Sequence, residues 1–434
     1  MIRTTSILLL LALLLGSCDS TQKNQSSWQK EPLTTGKPES QGFSSERLGR
    51  IDSLFQEFVE QRKIAGATAL VARKGKIVYY RSTGYNDLET QTPLEKDAIF
   101  RIASQTKAIT SVAVMMLYEE GRISLHDPIS MYLPEFSNPQ IITGFTKKDS
   151  SYTSQTAKRE VTIHDLLTHT SGYCYPGSGG EAINAIYSKL RIVNGVPDGV
   201  STLKEEMRKI ALVPLAHEPG EKFSYGLSTD ILGYLVETLS GQSLENFFRT
   251  KIFDPLGMAD TYFRLPEEKQ ARLMKLYEDG TNGGGIQKST GKYIDYPMKK
   301  GVYYSGGGGL SSTALDYAKF LQMLLNEGEY NGTRLLSRKT VGMMRINQIG
   351  TLDSGSLFIP NSTDKFGLGF EVISLPGKAQ IPISEGAFGW GGAFGSLYWI
   401  DPSEDLIVQF VIQKAGECTD IRSKFITAVY QAIE

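Results

Sequence analysis

Cysteine is nearly absent from this chain. Three in 434 residues, Cys18, Cys174 and Cys418, are too few for a disulfide framework. Charge of one sign is missing as well. The 46 lysines and arginines face 47 aspartates and glutamates, for a net charge of −1, and no long run of either sign occurs. Nothing therefore recommends nucleic acid or an anionic surface as a partner. Histidine is scarce, with four in all. His164 and His169 stand five apart, off register for one helix face, so a zinc pair is not expected, and no metal or cofactor is implied. No Gly-x-Ser-x-Gly occurs, which argues against an α/β-hydrolase elbow. The run Gly306 to Gly309 follows no Walker pattern and reads as a tight turn. Internal repeats are absent too.

The longest unbroken apolar run is Ile7 to Leu15, after a weakly basic Met1-Ile2-Arg3. It is too short to span a bilayer and suits the core of a signal peptide. It ends Leu15-Gly16-Ser17-Cys18, which resembles the lipobox of bacterial lipoproteins. Residues 1–17 would then be removed and Cys18 lipidated; the alternative is an ordinary signal peptide with an incidental cysteine. Residues 18–42 are rich in Ser, Thr, Gln and Lys with no apolar period, and read as a flexible tether. The expected location is the bacterial cell envelope, anchored by lipid alone and facing the periplasm or the exterior. Cys174 and Cys418 are left as small apolar residues or an unproven pair.

Residues 43–434 have an ordinary globular composition, 40% apolar and 21% charged, long enough for one large domain or two subdomains. Ser44-Ser45-Glu46 caps an amphipathic helix through Leu48, Ile51, Leu54, Phe55, Phe58 and Val59. Ala67 to Arg73 and Lys76 to Thr83 flank Lys74-Gly75 as a hairpin. From about residue 118 to 300 the pattern is mostly helical with long polar loops, including a polar connection from Phe136 to Arg159. Helices are expected at Val161 to Leu167, Ile231 to Leu239, Leu244 to Ile252 and Leu315 to Leu325. The end returns to strands at Phe366 to Ile373, Gly395 to Ile400 and Leu406 to Ile412, then a helix from Asp420 to Ile433. Strands at both ends around a helical middle imply one sheet built from both chain ends, with a helical subdomain inserted.

Candidate chemistry centres on Ser104-Gln105-Thr106-Lys107. Ser-x-x-Lys also occurs from Ser20, Ser27, Ser201, Ser289 and Ser362, but only this copy opens a long apolar helix, with Ile109, Val112, Ala113, Met116 and Leu117 on one face. A helix beginning near Ser104 puts Lys107 one turn on, on the same face. That geometry suits a hydroxyl deprotonated by a neighbouring amine before it attacks a carbonyl. The bland alternative is a serine cap with an exposed lysine.

Three further stretches favour chemistry: Leu166-Leu167-Thr168-His169-Thr170-Ser171-Gly172, Phe223-Ser224-Tyr225-Gly226-Leu227 through Asp230, and Gly389-Trp390-Gly391-Gly392-Ala393-Phe394-Gly395. With Ser104 and Lys107, their order and spacing resemble the serine β-lactamase and penicillin-binding-protein-like superfamily, closest to its class C-related branch and the family VIII carboxylesterases. The resemblance covers about Phe43 to the C-terminus. It implies the β-lactamase/transpeptidase-like α/β (α+β) fold, an antiparallel sheet flanked by helices. It also implies that Ser104 is the acylated nucleophile, Lys107 its proton acceptor, and Tyr225 a partner that shares the base role and relays a proton to the leaving group. The backbone N–H groups of Ser104 and Ala393 would form the oxyanion hole. Trp390, Gly391, Gly392 and Leu227 would line the substrate pocket, and His169 would hold a loop. Lys107 can act as a base only if burial or positive neighbours pull its pKa down from about 10.4.

Two departures bear on the substrate. Where the family often has Tyr-x-Asn, this chain has Tyr225-Gly226-Leu227. Where it often has Lys-Thr-Gly or His-Thr-Gly, this chain has Trp390-Gly391-Gly392. The amide and the cation that engage a penicillin or a D-Ala-D-Ala terminus are replaced by apolar groups, which an acyl ester would not miss. The leading expectation is a carboxylesterase on small or medium acyl esters, a small-molecule substrate. The alternatives are a β-lactamase or D-alanyl-D-alanine carboxypeptidase, and a non-catalytic envelope-binding lipoprotein.

Overall fold

The two chain ends meet in one nine-stranded sheet. The computed structural model describes residues 31–193, 195, 201–280, 284–291, 293–355, 364–375, 380–416 and 418–434. The signal sequence and Cys18 lie outside the described residues. Strands β1 (Thr34–Thr35), β2 (Gly66–Arg73) and β3 (Lys76–Asp87) come from the front of the chain. The two-residue pairs Lys365–Phe366 (β6) and Glu371–Val372 (β7), with β8 (Phe388–Gly391), β9 (Leu397–Asp401) and β10 (Leu406–Val411), come from the back. These eight run in the order β1-β3-β2-β10-β9-β8-β7-β6, and the ninth, Thr92–Pro93, pairs with β3 outside that path. All neighbours run antiparallel except β1 beside β3. The junction of the two ends is the β2–β10 ladder, from Arg73 opposite Leu406 to Thr68 opposite Val411.

Helices cover both faces of the sheet. On one, α1 (Ser45–Glu60), capped by the Ser44 hydroxyl, packs with α9 (Thr419–Tyr430). There Phe55, Phe410 and Phe425 stack with ring centroids 4.9–5.7 Å apart. On the other, α2 (Thr106–Glu119) and α8 (Ala314–Leu325) lie against Leu70, Ala72, Ile400 and Ile407. The inserted helical part adds α3 (Ile163–Leu167), α4 (Gly180–Leu190), α5 (Leu203–Ala211), α6 (Ser228–Ser240) and α7 (Leu244–Phe248). Among the described residues no helix is long and apolar enough to cross a membrane.

Several local expectations change. Helix α2 is buried on every side from Thr106 to Met115, not along one stripe, because the inserted helices cover the face turned from the sheet. Phe366 to Ile373 is not one strand. Gly369 turns with φ +95°, and a side chain on Gly367 would lie 2.1 Å from the Met344 carbonyl, so the run folds back as β6 and β7. The polar connection carries an exposed hairpin, β4 (Gln140–Thr146) with β5 (Ser151–Thr156). Ordered structure also begins inside the stretch read as tether. Thr34–Thr35 pairs with the β3 edge by backbone bonds, which need no apolar pattern. Cys174 and Cys418 remain thiols.

Candidate active site

Ser104 sits on a strained corner. Phe100–Arg101 is a short strand, Ala103 takes φ +45°, and Ala103–Gln105 forms a single 3-10 turn before α2 begins. A non-glycine residue in that region costs on the order of 1–3 kcal/mol and persists only where its surroundings hold it. Here they do. The Tyr317 hydroxyl donates to the Gln105 carbonyl at 2.8 Å, the Leu310 N–H donates to Thr106 Oγ1 at 3.1 Å, and Gln409 Nε2 donates to Gln105 Oε1 at 3.0 Å. The buried guanidinium of Arg101 donates to the carbonyls of Met274, Tyr293 and Ile294 and to Gln413 Oε1, fastening the strand that leads in.

One turn on, Lys107 is 2% exposed. Its Nζ donates to Ser104 Oγ at 3.3 Å, to the Tyr175 hydroxyl at 2.8 Å and to the Gly307 carbonyl at 2.6 Å. It also lies over the rings of Tyr225, at 4.7 Å, and Tyr175, at 5.2 Å. Burial works against its charge, but the phenol oxygens of Tyr175 and Tyr225 more than offset this and hold the lysine above its ordinary value. The expected downward pull on Lys107 is thus reversed. A raised lysine favours the ammonium in the resting site.

Tyr225 stands where α6 begins. Its hydroxyl oxygen accepts a hydrogen bond from Trp390 Nε1 at 3.1 Å, and the two rings are 5.2 Å apart. Trp390 on β8 also meets Phe366 edge-on at 5.4 Å. The indole is therefore more than a wall, since its single donor is engaged by the tyrosine oxygen. Strand β8 continues over the serine corner. A side chain on Gly392 would lie 2.6 Å from the Ile102 carbonyl and 2.4 Å from Ser396 Oγ, so only glycine permits this approach. Gly391 pairs with Leu397 and is buried. Ala393 follows on the exposed side, and among the described residues its N–H has no hydrogen-bond partner. That arrangement suits an oxyanion hole shared with Ser104.

Leu227 is corrected. It is fully buried in the main core, with no surface to offer a substrate, because it opens α6 with its side chain turned inward. His169 is tied into its loop through the backbone and ring packing, while its buried ring Nδ1 has no hydrogen-bond partner among the described residues. It has φ +55°, its carbonyl accepts from Ser224 N at 2.7 Å, and its ring packs 4.8 Å from Tyr225. Burial, aided by Lys107, holds its pKa well below the ordinary value, so the ring is neutral. The glycine run forms the expected turn at the site. Gly306 packs against the Thr229 carbonyl and Gly307 against Asp230.

Tyr175 went unread in the sequence. It lies three residues past the His169 stretch among 21 tyrosines, and only the folding of its loop against Gly226 brings its hydroxyl to Lys107. A side chain on Gly226 would overlap Tyr173 O at 2.1 Å, so this glycine sets how closely the Tyr175 and Tyr225 loops approach.

A family model described as Beta-lactamase matches residues 51–430. Esterase EstB of Burkholderia gladioli is 31% identical over 390 residues, covering 85% of this chain and 91% of the esterase. A putative D-alanyl-D-alanine carboxypeptidase of Escherichia coli is 27% identical over 410 residues, covering 88% and 86%. Among solved structures, EstCE1, a hydrolase with promiscuous acyltransferase activity, superposes with a TM-score of 0.76 at 25% identity, covering 89% of this chain and 99% of that one.

Proposed function

Given that the chain belongs to the β-lactamase family, within the serine β-lactamase and penicillin-binding-protein-like superfamily, we propose that it is a serine hydrolase that forms an acyl-enzyme on Ser104 and acts on small or medium acyl esters. The observation that carries the ester preference is the Trp390–Tyr225 hydrogen bond. At the position where the family's lactamase and peptidase motif often has Lys or His, this chain presents an indole whose donor is turned to its own tyrosine. The part-exposed rings of Trp390 and Tyr225, backed by the buried ring of Phe366, suit an apolar acyl or alkyl group.

The reactive form has one proton fewer than the resting site, shared between Lys107 and Tyr225. Ser104 Oγ bonds to the ester carbonyl carbon as its proton passes to that pair. The carbonyl electron pair moves onto oxygen, which the N–H groups of Ser104 and Ala393 receive. Losing one such donor typically costs about a hundred- to a thousandfold in rate. The C–O bond to the alcohol then breaks, and the leaving oxygen takes the proton back from Tyr225. Water repeats the sequence in reverse roles and frees Ser104. A phenol oxygen that carries charge binds the Trp390 N–H and the Lys107 ammonium more strongly than a neutral one.

The alternative, a β-lactamase or D-alanyl-D-alanine carboxypeptidase, keeps the same nucleophile, and a putative carboxypeptidase is among the relatives. The two part on substrate. The protein without residues 1–18 is assayed on p-nitrophenyl butyrate and nitrocefin in parallel, with Ser104→Ala as control. Butyrate turnover lost in the mutant, with nitrocefin barely touched, is the expected result. Preference for nitrocefin overturns the ester reading, and activity that survives Ser104→Ala overturns the nucleophile.

A further inference from the structure

Every hydrogen-bond acceptor around the Lys107 ammonium is formally neutral: a serine hydroxyl, a tyrosine hydroxyl and a backbone carbonyl. A buried cation with only such partners is costly, and a carboxylate stands one residue behind them. Asp230, in the first turn of α6, has no exposed surface. Its Oδ1 accepts from Ser305 Oγ at 2.6 Å, from the Gly307 N–H at 3.2 Å and from the Tyr303 hydroxyl at 3.5 Å. Its Oδ2 is buried without a partner. Gly307 thus faces both ways, its N–H to the carboxylate and its carbonyl to the lysine. A β-carbon on Gly307 would lie 2.4 Å from Asp230 Oδ2 and 3.2 Å from the Tyr175 hydroxyl, so the acid and the phenol flank the same α-carbon.

We propose that Asp230 is a positioning residue: a buried counter-charge that acts across Gly307 to hold Lys107 as an ammonium and to fix its Nζ between Ser104 and Tyr175. The proposal rests on the reading of Ser104 and Lys107 as the reacting pair. Burial raises the Asp230 carboxyl above its ordinary value, while Ser305, Lys107, Gly307 and Tyr303 pull it back. The groups facing this pair are Tyr175 and Tyr225 on the lysine side, with neutral His169 beyond, and Tyr303 on the acid side, with Glu206 and Glu237 beyond it. No second cation acts on the lysine from among these. With Asp230 ionised, removing the proton from Lys107 takes a higher pH. With Asp230 neutral, it takes a lower one.

The test reads the second-order rate of fluorophosphonate labelling of Ser104 against pH, which needs no knowledge of the substrate, alongside thermal melting. Asp230→Asn keeps the shape and removes the charge. Its acid limb is expected about one pH unit lower than in the unaltered protein. Ser305→Ala removes the shortest donor to Asp230, so the acid protonates more readily and the limb moves the same way by less. A slower rate with an unmoved limb in both variants means that Asp230 only packs the loop, and overturns the proposal. Should Asp230→Asn not fold, Ser305→Ala decides on the same criterion. An unlabelled unaltered protein would sink the Ser104 reading itself, and the proposal with it.

Discussion

Replacing Trp390 with phenylalanine separates the indole's donor from its bulk. Phenylalanine keeps an aromatic ring on β8 against Tyr225 and Phe366, whose centroids stand 5.2 and 5.4 Å from the tryptophan ring. What disappears is the 3.1 Å bond from Nε1 to the Tyr225 oxygen. A hydrogen bond to a neutral oxygen contributes about 1 kcal/mol and one to a charged oxygen about 1.5–3 kcal/mol. Only the difference, roughly 0.5–2 kcal/mol, is lost from the barrier, which lowers kcat by about 2- to 30-fold. Substrate binding depends on the ring and changes little, so the deficit belongs in kcat and not in KM. Steady-state kinetics on p-nitrophenyl butyrate, with a thermal melt to show the fold is kept, reads both constants. An unchanged kcat with a raised KM would refute the argument and leave Trp390 as a wall.

Two further outcomes follow from the same geometry. Because Lys107 is held above its ordinary value, the proton-poor reactive form is scarce at low pH, and kcat/KM should climb with pH past neutrality; a profile already flat in mild acid would contradict this. Gly226→Ala places a β-carbon 2.1 Å from the Tyr173 carbonyl and 2.6 Å from Cys174 Cα. It should cost about 1–3 kcal/mol of stability by denaturant titration and lower kcat as Tyr175 and Tyr225 part; an unaltered midpoint would show that the loops yield freely.

What the sequence showed and what it hid divide along a physical line. Ser104, Lys107, Tyr225 and Trp390 were legible because each lies in a local motif and the motifs come in a fixed order. The hairpin of β2 and β3 was legible from two strand-like runs flanking the Lys74-Gly75 turn. The β4–β5 hairpin was not, since all six residues of β5 are exposed and carry no apolar signal. The broken strand at Phe366 was hidden because its break depends on the Met344 carbonyl, supplied by a helix some twenty residues earlier. Tyr175 and the partners of Asp230 were hidden for the same reason. Their meaning arises only when loops far apart in the chain close on one lysine.

That closure also explains why the lysine can be buried at all. An ammonium removed from water costs several kcal/mol unless its protons find acceptors. Here the acceptors come from Ser104, from the loop of Tyr175 and from the glycine turn at Gly307, more than two hundred residues apart at the extremes. None of the three suffices alone. Asp230 ties the glycine turn to α6 through Ser305 and Gly307, while Thr110 ties it to α2 through the Gly306 carbonyl at 2.7 Å. Helix α2, helix α6 and the glycine turn therefore meet at the same charge that faces the serine. The interactions that make Lys107 tolerable in the fold are the ones that set when it gives up its proton.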